Sequence, residues 1–170
     1  MTQQEALEIL KLGHNVYLTG PAGSGKTYLL KQYIEYLKTN KISVGITAST
    51  GIAATHMGGT TIHSWSGMGI RDTMSAQEIA ELFKRHYLRN RFLHTNVLII
   101  DEISMLHAHQ LDLVNAICQA FKKNSLPFGG MQIIMCGDFF QLPPVSRENK
   151  KANFVMESNI WQDMQLQICY

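Results

Sequence analysis

The chain has 170 residues, 45% hydrophobic and 16% charged, which suits one ordinary domain with a sizeable core and excludes a disordered tail. With 15 basic and 13 acidic side chains the net charge is +2, too small to signal nucleic acid by itself, so any basic footprint has to be local. No apolar run approaches the roughly 18 residues of a membrane-spanning helix, and the N-terminal MTQQEALEIL lacks the basic-then-apolar layout of a signal peptide, so neither secretion nor membrane insertion is expected.

Ala6, Leu7 and Leu10 predict a short amphipathic helix ending near Gly13, and NVYLT, Asn15 to Thr19, reads as a buried strand. A glycine-rich loop follows. Leu29, Leu30, Tyr33, Ile34 and Leu37 then repeat with helical spacing, and a second strand is predicted over Ile42 to Thr47. The stretch from Thr50 to Gly69 is punctuated by glycine. Ile79, Leu82, Phe83 and Tyr87 mark another helix, VLIID (Val97 to Asp101) a third strand, and Leu113, Val114, Ile117, Cys118 and Phe121 one more helical stripe. MQIIMC, Met131 to Cys136, is a fourth strand, and QLQICY alternates polar and apolar residues to the end. Strands alternating with helices imply right-handed crossovers and an α/β fold with a mainly parallel sheet covered on both faces. No repeat or linker divides it, so residues 1–170 are read as a single domain. Ligands of such sheets sit beyond the carboxyl ends of the strands.

GPAGSGKT matches the phosphate-loop pattern G-x-x-x-x-G-K-S/T in full and lies between a predicted strand and a predicted helix. Gly20, Pro21, Ala22, Gly23, Ser24 and Gly25 would curl backbone N–H groups around phosphate oxygens, and the helix would present its positive end. Lys26 would reach the β and γ phosphates of ATP. Thr27 would place its hydroxyl on a magnesium ion, with Tyr28 following at the same helix start. VLIIDE brings Asp101 to a strand end as the second magnesium-holding group, and Glu102 would face the space of an attacking water, which favours hydrolysis over transfer to a small acceptor. In GDFFQLPPV, Asp138 and Gln141 follow another strand. Gln141 is a candidate γ-phosphate sensor, with a plain turn residue as the alternative; Asp138 would anchor the loop or its water network, and Pro143 and Pro144 stiffen the exit.

Cys118, Cys136 and Cys169 lack C-x-x-C spacing and read as buried, reduced thiols in a cytosol-like compartment, with no zinc site. His56 and His63 stand too far from other ligand types for a metal. His107 and His109, two apart on a predicted helix, would face different ways. TASTGIAATHMGGTTIHSWSGMG is rich in small hydroxyl residues that suit phosphate contacts; its Trp65 is either core or a platform for an unpaired base. KRHYLRNR, Lys84 to Arg91, is the basic cluster, either a solvated helix face or a nucleic-acid contact.

Together GPAGSGKT, TASTGIAATHMGGTTIHSW, VLIIDEISM and GGMQIIMCGDFFQLPPV, in this order, resemble the N-terminal RecA-like domain of superfamily-one DNA helicases, most of all the petite-integration-frequency (Pif-type) family. The resemblance runs over nearly the whole chain. It implies a RecA-like P-loop NTPase fold and the ATP-hydrolysing part of an enzyme that unwinds DNA 5′-to-3′, with roles in DNA repair, recombination and telomere maintenance. Ser49, Thr50, Thr61 and His63 match the motifs lining the single-strand path. Gln3 and Gln4 compete for the glutamine that reads adenine, and Gln141 would relay the γ-phosphate state toward DNA. The implied partners are ATP with magnesium, single-stranded or forked DNA, and a second RecA-like domain, outside these residues, that supplies arginines to the γ-phosphate. A monomer is expected, cytoplasmic in a bacterium and nuclear or mitochondrial in a eukaryote. Without the second domain the chain should bind nucleotide weakly, hydrolyse it slowly and not unwind duplex. The rival reading is an inactive nucleotide-binding module that regulates or docks; a small-molecule kinase is disfavoured by Glu102 and the GDFFQLPP loop.

Overall fold

The computed structural model describes residues 1–21, 23–138 and 154–169; Ala22, Gln141, Pro143, Pro144 and Tyr170 lie outside the described residues. Among the described residues six strands, β1 (Val16–Thr19), β2 (Val44–Ala48), β3 (Thr60–Thr61), β4 (Val97–Asp101), β5 (Gln132–Gly137) and β6 (Gln167–Cys169), form one sheet in the order β3-β2-β4-β5-β1-β6. Every strand pair is parallel. Such a sheet needs cover on both faces, and the alternation of side chains along β4 and β5 supplies it. Leu98, Ile100, Ile133 and Met135 pack into one core with Leu111, Val114 and Ile117 of α7 (Ala108–Lys122). Val97, Ile99, Ile134 and Cys136 face the other, with Leu7 and Leu10 of α1 (Gln3–Lys11) and Leu30, Tyr33 and Leu37 of α2 (Lys26–Thr39). Each large apolar side chain removed from water contributes roughly 1.5–3 kcal/mol.

Polar ties set where α1 sits. Thr2 caps it through a capping box with Glu5, and the Gln132 amide of β5 donates to the carbonyls of Leu10 (3.0 Å) and His14 (2.8 Å). The C-terminal end of α1 is thereby tied to the start of β5.

Three expectations change, and a stretch to which no elements were assigned gains them. β2 starts at Val44 rather than Ile42, because the Ile42 N–H still bonds the Leu37 carbonyl at 2.8 Å and closes the end of α2. The stretch from Thr50 to Gly69 is structured, with α3 (Gly51–Met57), β3 and α4 (Ile62–Ser66), each helix capped by a threonine hydroxyl and ended by glycine. The single helix through Ile79 and Tyr87 is two, α5 (Ala76–Leu82) and α6 (His86–His94), broken at an extended Arg85. Tyr87 is exposed; the buried stripe of α6 is Leu88 and Phe92. His107 and His109 do not diverge. His107 is the extended N-cap of α7, which lets its ring stack on His109 with centroids 5.2 Å apart.

Trp65 is core, edge-on to Phe92 at 5.0 Å. Within the basic cluster Lys84 pairs with Glu81 at 2.8 Å on the surface, whereas Arg91 turns in and donates to the Trp65 carbonyl at 2.6 Å. The three cysteines are buried free thiols. The last described helix, α8 (Asn159–Asp163), packs Ile160 into the α7 side of the core. No helix is long and apolar enough to cross a membrane among the described residues.

Candidate functional site

The register brings the strand ends level: Thr19 lies opposite Gly137, and Ala48 opposite Asp101. The loop after β1, the carboxylates after β4, the hydroxyls after β2 and Asp138 after β5 therefore share the carboxyl edge of one sheet. Their order follows the strands. The phosphate-loop residues sit at the β1 end, Asp101 and Glu102 in the middle, and Ser49, Thr50 and Thr61 toward β2 and β3.

Gly25 stands at φ 90°, ψ 17°, in the left-handed region, as it hands the chain to α2. A Cβ there would collide with the side-chain amide of Gln3. Gln3 thus lies directly across the loop and lines a cavity of about 340 Å³ with Leu18, Ser24, Lys26, Leu29 and Cys169. Gln4 points elsewhere, its amide donating to Glu8 at 3.0 Å on the exposed face. The Lys26 ammonium folds back into the loop, donating to the carbonyls of Gly20 and Pro21 and approaching Ser24 Oγ at 3.4 Å. Thr27 and Tyr28 are exposed in the first turn of α2.

Asp101 and Glu102 are both half-buried. Asp101 Oδ1 accepts the Glu102 N–H at 2.8 Å, and its carboxylate lies near the thiol of Cys136 on β5. Burial, reinforced by the Asp101 charge, holds that thiol well above the usual range, while Lys26 pulls the other way; Cys136 therefore sits between the phosphate loop and the carboxylates. Glu102 is left-handed at φ 51°, ψ 47°, a conformation that costs about 1–3 kcal/mol and gathers at functional sites. Contacts from β2 hold it. Ser49 Oγ donates to the Glu102 carbonyl at 2.6 Å, Ser49 N–H to the Asp101 carbonyl at 3.1 Å, and Thr50 Oγ1 to the Glu102 carboxylate at 3.3 Å. The Glu102 carboxylate, expected to face an attacking water, is thereby held by Thr50 just after β2.

Thr61 caps α4 through the Ser64 N–H at 3.2 Å. His63, half-buried, approaches the Gln110 amide at 3.4 Å; burial pushes its imidazole below the ordinary range, with Asp72 opposing. Asp138 is buried at the end of β5. Near it Tyr17 donates to the Gly137 carbonyl at 3.4 Å, its hydroxyl pushed up to about 12, mainly by burial. Gln141 and Ala22 lie outside the described residues, so the γ-phosphate sensor has no geometry.

Cys136 and Gln110 were not singled out from the sequence as neighbours of the site. Cys136 offered a signal in its place one residue before the strand-ending Gly137; Gln110 offered none, since only the packing of α7 brings it to His63. Among the described residues no three His, Cys, Asp or Glu side chains gather to hold a metal. The oxygen donors Thr27 and Asp101 fit a hard cation that keeps most of its water.

A family model described as PIF1-like helicase matches residues 3–169. The ATP-dependent DNA helicase Pif1 of Psychrobacter sp. (strain PRwf-1) is 54% identical over 172 residues, covering 100% of this chain and 26% of that relative. The crystal structure of Pif1 helicase from Candida albicans superposes with TM-score 0.91 at 38% identity, over 98% of this chain and 38% of the other. A Bacteroides Pif1 helicase, solved in complex with ADP-AlF3 and ssDNA, gives TM-score 0.83 at 34% identity over 99% of this chain and 41% of its own. The fold is RecA-like, and the chain spans about a quarter of the first curated relative. With its phosphate loop and acidic pair on one sheet edge and the family model running from one end to the other, the chain belongs to the PIF1-like helicase family.

Proposed function

We propose that these residues form the ATP-binding and ATP-hydrolysing motor part of a DNA helicase that unwinds 5′-to-3′ as a monomer. The observation that carries it is the shared sheet edge: phosphate loop, Asp101–Glu102 and the Ser49–Thr50 hydroxyls in one row.

In this reading Gln3, the glutamine in the cavity wall, reads adenine, and the loop from Gly20 to Gly25 cradles the phosphates. Lys26 exchanges the carbonyls of Gly20 and Pro21 for phosphate oxygens. Thr27 and Asp101 would hold magnesium, which when bound neutralises phosphate charge. Glu102 takes a proton from the attacking water, Gln141 senses the γ-phosphate, and Asp138 steadies the loop after β5. Ser49, Thr50, Thr61 and His63 contact single-stranded DNA, the macromolecule bound in the Bacteroides relative. A second RecA-like domain supplies arginines; such a residue is worth on the order of a thousandfold or more in rate. A polypeptide limited to these residues is accordingly expected to turn over slowly and not to unwind duplex. Roles in repair, recombination and telomere maintenance rest on the family alone.

The test is ATP turnover by the full-length protein, with and without single-stranded DNA, for the wild type and Glu102→Gln. DNA-stimulated turnover that the substitution abolishes is expected. No turnover in the wild type would instead favour an inactive docking module.

A further inference from the structure

Thr50 touches two parts of this machinery at once. It is the N-cap of α3, its oxygen accepting the Ala53 N–H at 3.3 Å, and its proton goes to the Glu102 carboxylate, also at 3.3 Å. A hydroxyl has one proton to give. It can satisfy Glu102 or a second acceptor at full strength, not both.

The direction of the contact matters. In the sheet, β4 has β5 and then β1 on one side and β2 on the other, and the phosphate loop follows β1. Both carboxylates act on Cys136 of β5, and Thr50, just after β2, holds the Glu102 carboxylate from the opposite side of β4. The contact is also weak. Strong hydroxyl–carboxylate bonds run at about 2.5–2.7 Å, so the 3.3 Å pairing is easily exchanged. The Glu102 backbone is not free to follow, since Ser49 Oγ on its carbonyl and Asp101 Oδ1 on its N–H fix it from both sides. What can move is the side chain.

We propose that Thr50 is a positioning residue that holds the Glu102 carboxylate toward β2 when no strand is bound and gives its proton to a DNA phosphate when one is, freeing Glu102 to turn toward the nucleotide. The proposal rests on the reading above, in which Glu102 is the water-activating group and Thr50 lies on the strand path. It adds a direct link from DNA occupancy to hydrolysis, one hydrogen bond long. No bond is made or broken covalently; one donor changes acceptor.

The experiment measures ATP turnover of the full-length protein with and without an oligo(dT) strand, for Thr50→Val, which loses donor and cap, and Thr50→Asp, which keeps an acceptor for the α3 cap but has no proton to give and repels Glu102. DNA-free turnover should rise roughly two- to tenfold, the span of one ordinary hydrogen bond, and the stimulation ratio should fall. Mere loss of stability would lower both rates. Thr50→Ser, which keeps the donor, should bring the ratio back toward the wild-type value. A DNA-free rate that rises in neither Thr50→Val nor Thr50→Asp overturns the proposal. Glu102→Gln runs alongside: turnover equal to wild type there overturns the underlying reading of Glu102, and the proposal with it.

Discussion

Alanine at position 25 would test whether Gln3 and the phosphate loop form one nucleotide pocket. Gly25 sits at φ 90°, where an L-residue costs about 1–2 kcal/mol. The added Cβ falls on the amide of Gln3. Because that amide is the far end of a flexible side chain, Gln3 rotates away and the loop backbone keeps its place. The stability loss should then stay near the backbone cost, lowering the melting temperature by about 2–8 °C for a domain of this size. ATP binding should weaken separately, since a displaced Gln3 forfeits a hydrogen bond to the base of about 0.5–1.5 kcal/mol. Isothermal titration of ATP against wild type, Gly25→Ala, Gln3→Ala and the double variant closes a thermodynamic cycle. In the Gln3→Ala background the new Cβ meets nothing, so the affinity penalty of Gly25→Ala should shrink by most of that hydrogen bond. Losses that simply add, within about 0.3–0.5 kcal/mol, would refute the reasoning.

Burial keeps the folded His63 imidazole below its ordinary range, so the folded chain holds this proton less tightly than the unfolded one. The stability tied to the neutral ring is whole above the unfolded pKa of about 6.5 and declines as pH falls through it. On going from pH ~7.5 to ~5.5 the melting temperature should therefore shift in favour of His63→Gln relative to wild type; a difference that does not change with pH contradicts the account. For Gln141→Ala, the effect of a non-hydrolysable ATP analogue on DNA affinity should weaken more than ATP binding itself. Equal losses in both would return Gln141 to a turn residue.

What the sequence made legible was what neighbouring residues settle among themselves. A complete GPAGSGKT after an apolar strand, and VLIIDE with its continuous burial, announce their places because loop, strand and charge are contiguous. The Thr50–Glu102 contact was hidden for the opposite reason: the two lie 52 positions apart and meet only through the register of β2 on β4. Gln3 and Gln4 could not be separated by spacing, since adjacent positions on a helix differ only in the face they present, and that face is set by the packing of α1. Short elements escaped too. β3 has two residues and α4 five, below the length at which hydrophobic periodicity can be read. At α5 and α6 the apolar spacing ran on through a break that Arg85 introduces without glycine or proline to mark it. His107 looked helical because its N-cap geometry is visible only in the backbone.

The central claim, that the row of groups on this sheet edge hydrolyses ATP, is tested most directly by Glu102→Gln in the full-length protein, measuring DNA-stimulated turnover and ATP affinity side by side. The substitution preserves shape and an acceptor for Thr50 but removes the base. Turnover should fall on the order of 10²–10⁴-fold, the usual contribution of a general base, which corresponds to about 2.7–5.4 kcal/mol of barrier. ATP affinity should stay within about twofold, because the phosphate loop and Gln3 are untouched. Turnover close to wild type, or a loss of ATP binding that accounts for the whole drop in rate, would contradict the account.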